Sequence, residues 1–237
     1  MILNDSYKSE LIQGELGINS VKFLQIKDSL GENNIFVDLG VETGKSSRIL
    51  LDKALQKNNT VFGVDPHLYQ GYINDCLSDP NYIFIKEDSV STGENWSHAR
   101  PNLVFVDTVH AKEQVMRELY YWWDLLKVNG YLIFHDTNWE TYIHKPNHPC
   151  AGKRPGNTGL GYDFYSGIAW ETPDKAIKEF FNISELDYED DFIKVEHGPD
   201  DLGMVFLFKK QENNYKSRIN NWEDIEVRRQ ILLSNFK

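Results

Sequence analysis

Two acids close two apolar runs, Asp107 in NLVFVD and Asp136 in GYLIFHD. If those runs are neighbouring strands, about 4.8 Å apart, both carboxylates reach one edge of a sheet. Two carboxylates with no Lys or Arg close by in sequence repel each other unless a cation or a proton stands between them. Hard oxygen ligands suit Mg²⁺ or Ca²⁺, and a histidine ligand shifts the preference toward Mn²⁺. His135 directly precedes Asp136. In a regular strand, consecutive side chains point to opposite faces, which ranks His135 below the two acids as a ligand.

A second set of residues precedes these. The segment FVDLGVETGKSS places Asp38, Gly40, Gly44 and Ser46 where an apolar run gives way to a helical pattern. Glycine lets a ligand approach the backbone, and a helix amino end offers unpaired N–H groups. The spacing is not the dinucleotide fingerprint, because Glu42 stands at the middle position and no third glycine follows. Asp65 closes the next run, where an acid can take both hydroxyls of a ribose. Asp88, followed by Ser89, comes after a third run. Acids at the ends of consecutive strands lie where open α/β sheets bind ligands.

The elements that must carry these residues alternate. Apolar runs at 34–40, 60–65, 82–86, 102–107 and 130–136 predict five buried strands. Helical patterns fall at 7–29, 45–56 and 112–127; in the last, Val115, Leu119, Trp122 and Leu126 form one stripe, which makes the Trp122–Trp123 pair core. Thr172-Pro173 reads as an N-cap followed by proline at the first helical position, with Ile177, Phe180 and Phe181 on the buried side. Runs at 192–197 and 204–210 bracket a turn-rich segment and predict a hairpin. The fold class expected is α/β, a doubly wound Rossmann-like sheet of seven strands, mostly parallel with an antiparallel C-terminal hairpin.

Residues 1–30 read as an N-terminal helical segment, 31–210 as the main domain and 211–237 as a helical tail. The apolar side of the tail would pack on the body or on a second copy, making a homodimer. Residues 139–167 form a long interruption rich in Pro, His and Gly, suited to a lid. Tyr162, Phe164, Tyr165 and Trp170 at its end could cover a sugar ring. His144, His148 and Cys150 have passable zinc spacing but no second cysteine pair.

Composition sets the outer limits. The chain has 237 residues, 41% of them hydrophobic, enough for one α/β domain with a full core. A net charge of −11 disfavours a grip on phosphate backbones, so nucleic acid is not an expected partner. Two cysteines make no disulfide framework. The start MILNDSYKSE is no signal peptide, and no run approaches the roughly 18 apolar residues of a membrane span. A soluble cytoplasmic protein with no membrane partner is expected.

The runs FVDLGVETGKSS, VFGVDPH, KEDS, NLVFVDTVH and GYLIFHD resemble the successive motifs of class I S-adenosylmethionine-dependent methyltransferases. The longer stretch from Val106 to Asp136 resembles the branch of cephalosporin-hydroxylase-like proteins and metal-dependent sugar O-methyltransferases. The resemblance implies that Asp38, Gly40, Gly44 and Ser46 cradle the amino-acid half of S-adenosylmethionine. It assigns Asp65 to the ribose, and Asp88 with Ser89 to the adenine. It implies a divalent ion, Mg²⁺ or Mn²⁺, held by Asp107 and Asp136, and a catalytic pair of Asp107 and His110, with His110 as base. The chain departs from that branch in having His135 where a first acid is expected, and from the related catechol-type enzymes in having Thr137 where an Asn is expected.

The expected activity is methyl transfer to a hydroxyl of a small-molecule acceptor, a sugar or glycosylated metabolite. A bound cation lowers the pKa of such a hydroxyl, and a nearby histidine takes its proton. The alternatives are an S-adenosylmethionine-binding protein without transfer activity and a nicotinamide-dependent oxidoreductase.

Overall fold

The computed structural model describes residues 19–52, 58–137, 172–198 and 203–234. Five parallel strands come first: β1 (Ile35–Leu39), β2 (Thr60–Val64), β3 (Tyr82–Ile85), β4 (Leu103–Val106) and β5 (Tyr131–His135). β6 (Tyr188–Glu189), β7 (Ile193–Gly198) and β8 (Met204–Lys209) complete one sheet in the order β3-β2-β1-β4-β5-β8-β7-β6. β8 runs antiparallel to both β5 and β7. Among the described residues the sheet therefore has eight strands, not seven. The extra one, β6, is two exposed residues, too short to leave an alternation in sequence.

Among the described residues the α-helices are α1 (Asn19–Ser29), α2 (Lys45–Leu51), α3 (Ile73–Leu77), α4 (Ser89–Glu94), α5 (Lys112–Leu125), α6 (Pro173–Phe181) and α7 (Trp222–Ser234). α2 has Asp52 at its C-cap, which pairs with the buried Lys27 at 3.6 Å. Residues 53–57, the first part of the expected 7–29 helix and the 139–167 interruption lie outside the described residues. α6 begins as its sequence demands, with Thr172 at the N-cap and proline in the first turn.

Strand alternation sorts the core into two layers. Phe36, Val61, Phe105 and Ile133 pack with Phe23 of α1 and with Ile49 and Leu50 of α2. Val37, Val104, Val106, Leu132 and Phe134 pack with Leu119, Trp122 and Trp123 of α5 and Ile177 and Phe180 of α6. Both tryptophans are fully buried, as the stripe requires. α7 joins this second side: Trp222 meets the Tyr120 ring at 4.6 Å, and Glu226 pairs with Arg117 at 2.8 Å. The tail packs on the body. Among the described residues, no helix is long and apolar enough to cross a membrane.

From β1 the chain moves outward to β2 and β3, then returns to β4 and β5 on the other side. The switch point lies between β1 and β4, and the crevice beyond their carboxyl ends is where such sheets bind ligands.

Candidate active site

β4 and β5 run in register, with Phe105 opposite Ile133 and Val106 opposite Phe134. Extending each by one residue or two brings Asp107 beside His135. His135 Nδ1 lies 3.2 Å from Asp107 Oδ1, and His110 Nε2 lies 3.0 Å from the same oxygen. His135 Nδ1 is also 3.2 Å from Asp136 Oδ1. The expectation that His135 and Asp136 diverge is corrected here. Asp136 has φ +51°, so the strand ends at His135 and the next side chain folds back to the same side.

His110, His135 and Asp136 are buried, while Asp107 is partly exposed. Burial acts to raise the Asp107 carboxyl. The charge of His135 and hydrogen bonds from His110 and His135 outweigh it and hold the group well below the usual carboxylate range. One donor atom from each of the four residues falls within 4.8 Å of all the others. An ion with ligands at about 2.1 Å sets neighbouring donors about 3 Å apart and opposite ones about 4.2 Å apart, so the set needs only small side-chain rotations to converge on a single ion. Two carboxylates with two imidazoles suit Mn²⁺ better than Mg²⁺, which prefers oxygen.

The glycine turn makes two close approaches within the fold. Gly40 has φ +84°, and a Cβ on it would lie 2.1 Å from the Asp107 carbonyl oxygen. On Gly44, with φ +90°, a Cβ would lie 2.6 Å from the Ile73 nitrogen. The close approaches these glycines permit are those of β4's exit and α3. Asp38 is likewise not at a strand end. It sits inside β1, opposite Gly63 and Phe105, and is fully buried. Its Oδ2 accepts hydrogen bonds from Ser46 at 2.8 Å and from Ser47, so Asp38 and Ser46 tie β1 to the start of α2. Burial pushes the Asp38 carboxyl up to about 7 against those two hydroxyls.

Asp65 closes β2. Its Oδ2 accepts the Glu42 N–H at 3.0 Å and its Oδ1 the His67 N–H at 2.8 Å. Each oxygen keeps a lone pair for a hydroxyl. Asp88 caps α4, accepting the N–H groups of Val90 and Ser91 and the Ser91 hydroxyl. The Ser89 side chain turns inward instead: its hydroxyl donates to Glu118 Oε1 at 2.5 Å and accepts from Gln114 Nε2 at 3.0 Å.

Sequence reasoning missed that buried network. Thr108 also donates to Glu118 Oε1, at 2.7 Å, and Arg229 of α7 reaches Asp88 at 2.7 Å. Burial drives the Glu118 carboxyl up, against hydrogen bonds from Ser89, Thr108 and Gln114. One signal was available: Glu118 stands three residues after Val115 and four before Trp122, an acid on the buried stripe. Nothing in sequence pointed to Arg229.

Residues 37–137 match a family model described as a methyltransferase domain. This segment is a methyltransferase domain. The chain thus carries a methyltransferase domain, and the switch-point crevice between β1 and β4 lies within it. The match leaves the nicotinamide alternative without support. Solved structures share the methyltransferase fold. SAH-bound PaMTH1 of Podospora anserina superposes with a TM-score of 0.58 at 16% identity, covering 82% of this chain and 78% of that one. A candidate O-methyltransferase of Klebsiella pneumoniae gives 0.56 at 10% identity, covering 89% and 93%. MycE of the mycinamycin biosynthetic pathway, solved with Mg, SAH and mycinamycin VI, gives 0.51 at 14% identity. The alignment takes in 88% of this chain and 52% of MycE, so this chain spans about half of that protein's length. No curated protein matches the sequence.

Proposed function

We propose that the methyltransferase is a metal-assisted O-methyltransferase whose acceptor is a hydroxyl of a sugar or glycosylated metabolite. The observation that carries this reading is the convergence of Asp107, His110, His135 and Asp136 at the carboxyl ends of β4 and β5, beside the cofactor crevice. That MycE, a protein of the same fold, was solved with Mg supports it.

Asp65 takes the ribose hydroxyls of S-adenosylmethionine, and Asp88 the adenine. The turn from Gly40 to Gly44 bounds the methionine end. Asp38 and Ser46 act one layer below, holding the turn in shape. Methyl transfer from a sulfonium is an in-line displacement, so the protein must position the acceptor and exclude water. Asp107, Asp136 and His135 are the residues that would hold a divalent ion, which supplies a lowered pKa to the acceptor hydroxyl when bound. His110 is the candidate base. Its Nε2 lies 3.0 Å from Asp107 Oδ1, so that carboxylate would hold the ring once it takes up a proton.

The test is incubation with labelled S-adenosylmethionine and a panel of nucleotide sugars and glycosylated metabolites, with Mg²⁺, with Mn²⁺ and with EDTA. Labelled product that requires the divalent ion is expected. Product formed equally in EDTA would remove the metal from the reading. Binding of SAH with no transfer to any acceptor would favour the non-transferring alternative.

A further inference from the structure

Arg229 lies 141 residues beyond Asp88 in sequence, yet its side chain is buried against it. The guanidinium uses three nitrogens on three partners. Nη2 donates to Asp88 Oδ1 at 2.7 Å, Nε to Gln114 Oε1 at 2.8 Å and Nη1 to Glu226 Oε1 at 2.9 Å. A lysine's single ammonium cannot reproduce that fork.

Each of the first two contacts sets an orientation at the cofactor edge. Asp88 Oδ1 already takes the N–H groups of Val90 and Ser91, so the guanidinium completes its set of donors. Oδ2 holds only the Ser91 hydroxyl among these groups and keeps an acceptor position. The Asp88 side chain is 36% exposed, so part of the carboxylate reaches solvent. On the other arm, Arg229 fixes Gln114 with its oxygen toward α7. Gln114 Nε2 then donates to Ser89 at 3.0 Å and to Glu118 Oε1 at 2.9 Å. A flipped amide would set its oxygen against the Glu118 carboxyl, and that clash of acceptors disfavours it.

We propose that Arg229 is a positioning residue of the adenine subsite, through which the C-terminal helix becomes part of cofactor recognition. Arg229 holds Asp88 with Oδ2 turned to receive an exocyclic amine. This rests on the reading of Asp88 as the adenine acceptor. The ligand class selected is a 6-aminopurine nucleoside over its 6-oxo counterpart, which presents an acceptor where the amine presents a donor.

Calorimetric titration of the full chain with S-adenosylhomocysteine and S-inosylhomocysteine tests it. The wild type should favour the 6-amino ligand by roughly tenfold, the worth of one hydrogen bond at a charged acceptor. Arg229→Met keeps the length and loses the fork; its preference should fall to within about threefold of parity with S-inosylhomocysteine affinity unchanged. Arg229→Lys should recover part of the preference. If the Met variant does not fold, the Lys variant carries the test, and full wild-type discrimination in it overturns the proposal. Equal weakening of both ligands in Arg229→Met assigns it a structural role only and overturns the proposal, as does undiminished preference. A wild type without preference, matched by Asp88→Asn, overturns the adenine reading of Asp88 and this proposal with it. A wild type that discriminates while Arg229→Met also does so overturns this proposal alone.

Discussion

Asp107 and His135 are cross-strand neighbours whose side chains meet at 3.2 Å, 28 residues apart in sequence. Each stands two residues beyond a core residue of one layer, Phe105 and Ile133, which are themselves paired in register. Period-two alternation therefore delivers both side chains to the same side of the sheet. Asp136 joins them only because its backbone enters the left-handed region.

On the proposed metal-assisted reading, that geometry ranks His135 level with the acids as a ligand. Mn²⁺ affinity, read by electron paramagnetic resonance, should fall at least about tenfold in His135→Ala and to a similar degree in Asp136→Ala. Wild-type affinity in His135→Ala would restore the order that strand alternation alone suggests.

Gly40→Ala should cost about 2–4 kcal/mol and weaken SAH binding, because a Cβ would collide with the Asp107 carbonyl as well as strain φ. Gly31→Ala is the control. Its φ is +76°, but nothing lies within 4 Å of the added carbon, so only the backbone cost of about 1–2 kcal/mol remains. Urea midpoints of the two variants decide it. Equal losses would mean that β4's exit yields to the methyl group.

Asp38 should leave a signature in the pH dependence of stability. Its carboxyl ordinarily titrates at 3.8, and burial raises it to about 7 in the fold. Between those values the folded chain holds a proton that the unfolded chain has released. Stability from this group is therefore greatest below about pH 4 and declines as pH rises toward 7, at up to about 1.4 kcal/mol per pH unit. Asp38→Asn cannot titrate. The stability of the wild type relative to that variant should climb as pH falls from 7 to 4, and parallel urea curves across that range would contradict the assignment.

Lys209 is fully buried and serves the far end of α5. Its Nζ donates to the Trp123 and Leu126 carbonyls at 3.0 Å each and pairs with Glu212 at 2.6 Å. Lys209→Met strands those acceptors and should cost about 2–4 kcal/mol in urea unfolding. SAH affinity should not change, since Lys209 lies at the end of the sheet remote from the crevice. Loss of affinity without loss of stability would show a coupling that the packing does not contain.

By itself, the sequence determined the parallel core and its ligand edge. Runs such as 34–40 and 102–107 are too apolar for anything but buried strands, and Asp65, Asp88, Asp107 and Asp136 mark where those strands must emerge. Local pattern suffices there because strand burial and helix stripes are encoded within a few residues. Tertiary structure decided what depends on distance. The partner of Gly40 is a carbonyl 67 residues on, and that of Asp88 an arginine on the tail. Whether Asp38 faces a ligand or a helix turns on which way α2 crosses β1. Contacts of that kind are fixed by packing between elements, and no periodicity within one element records them.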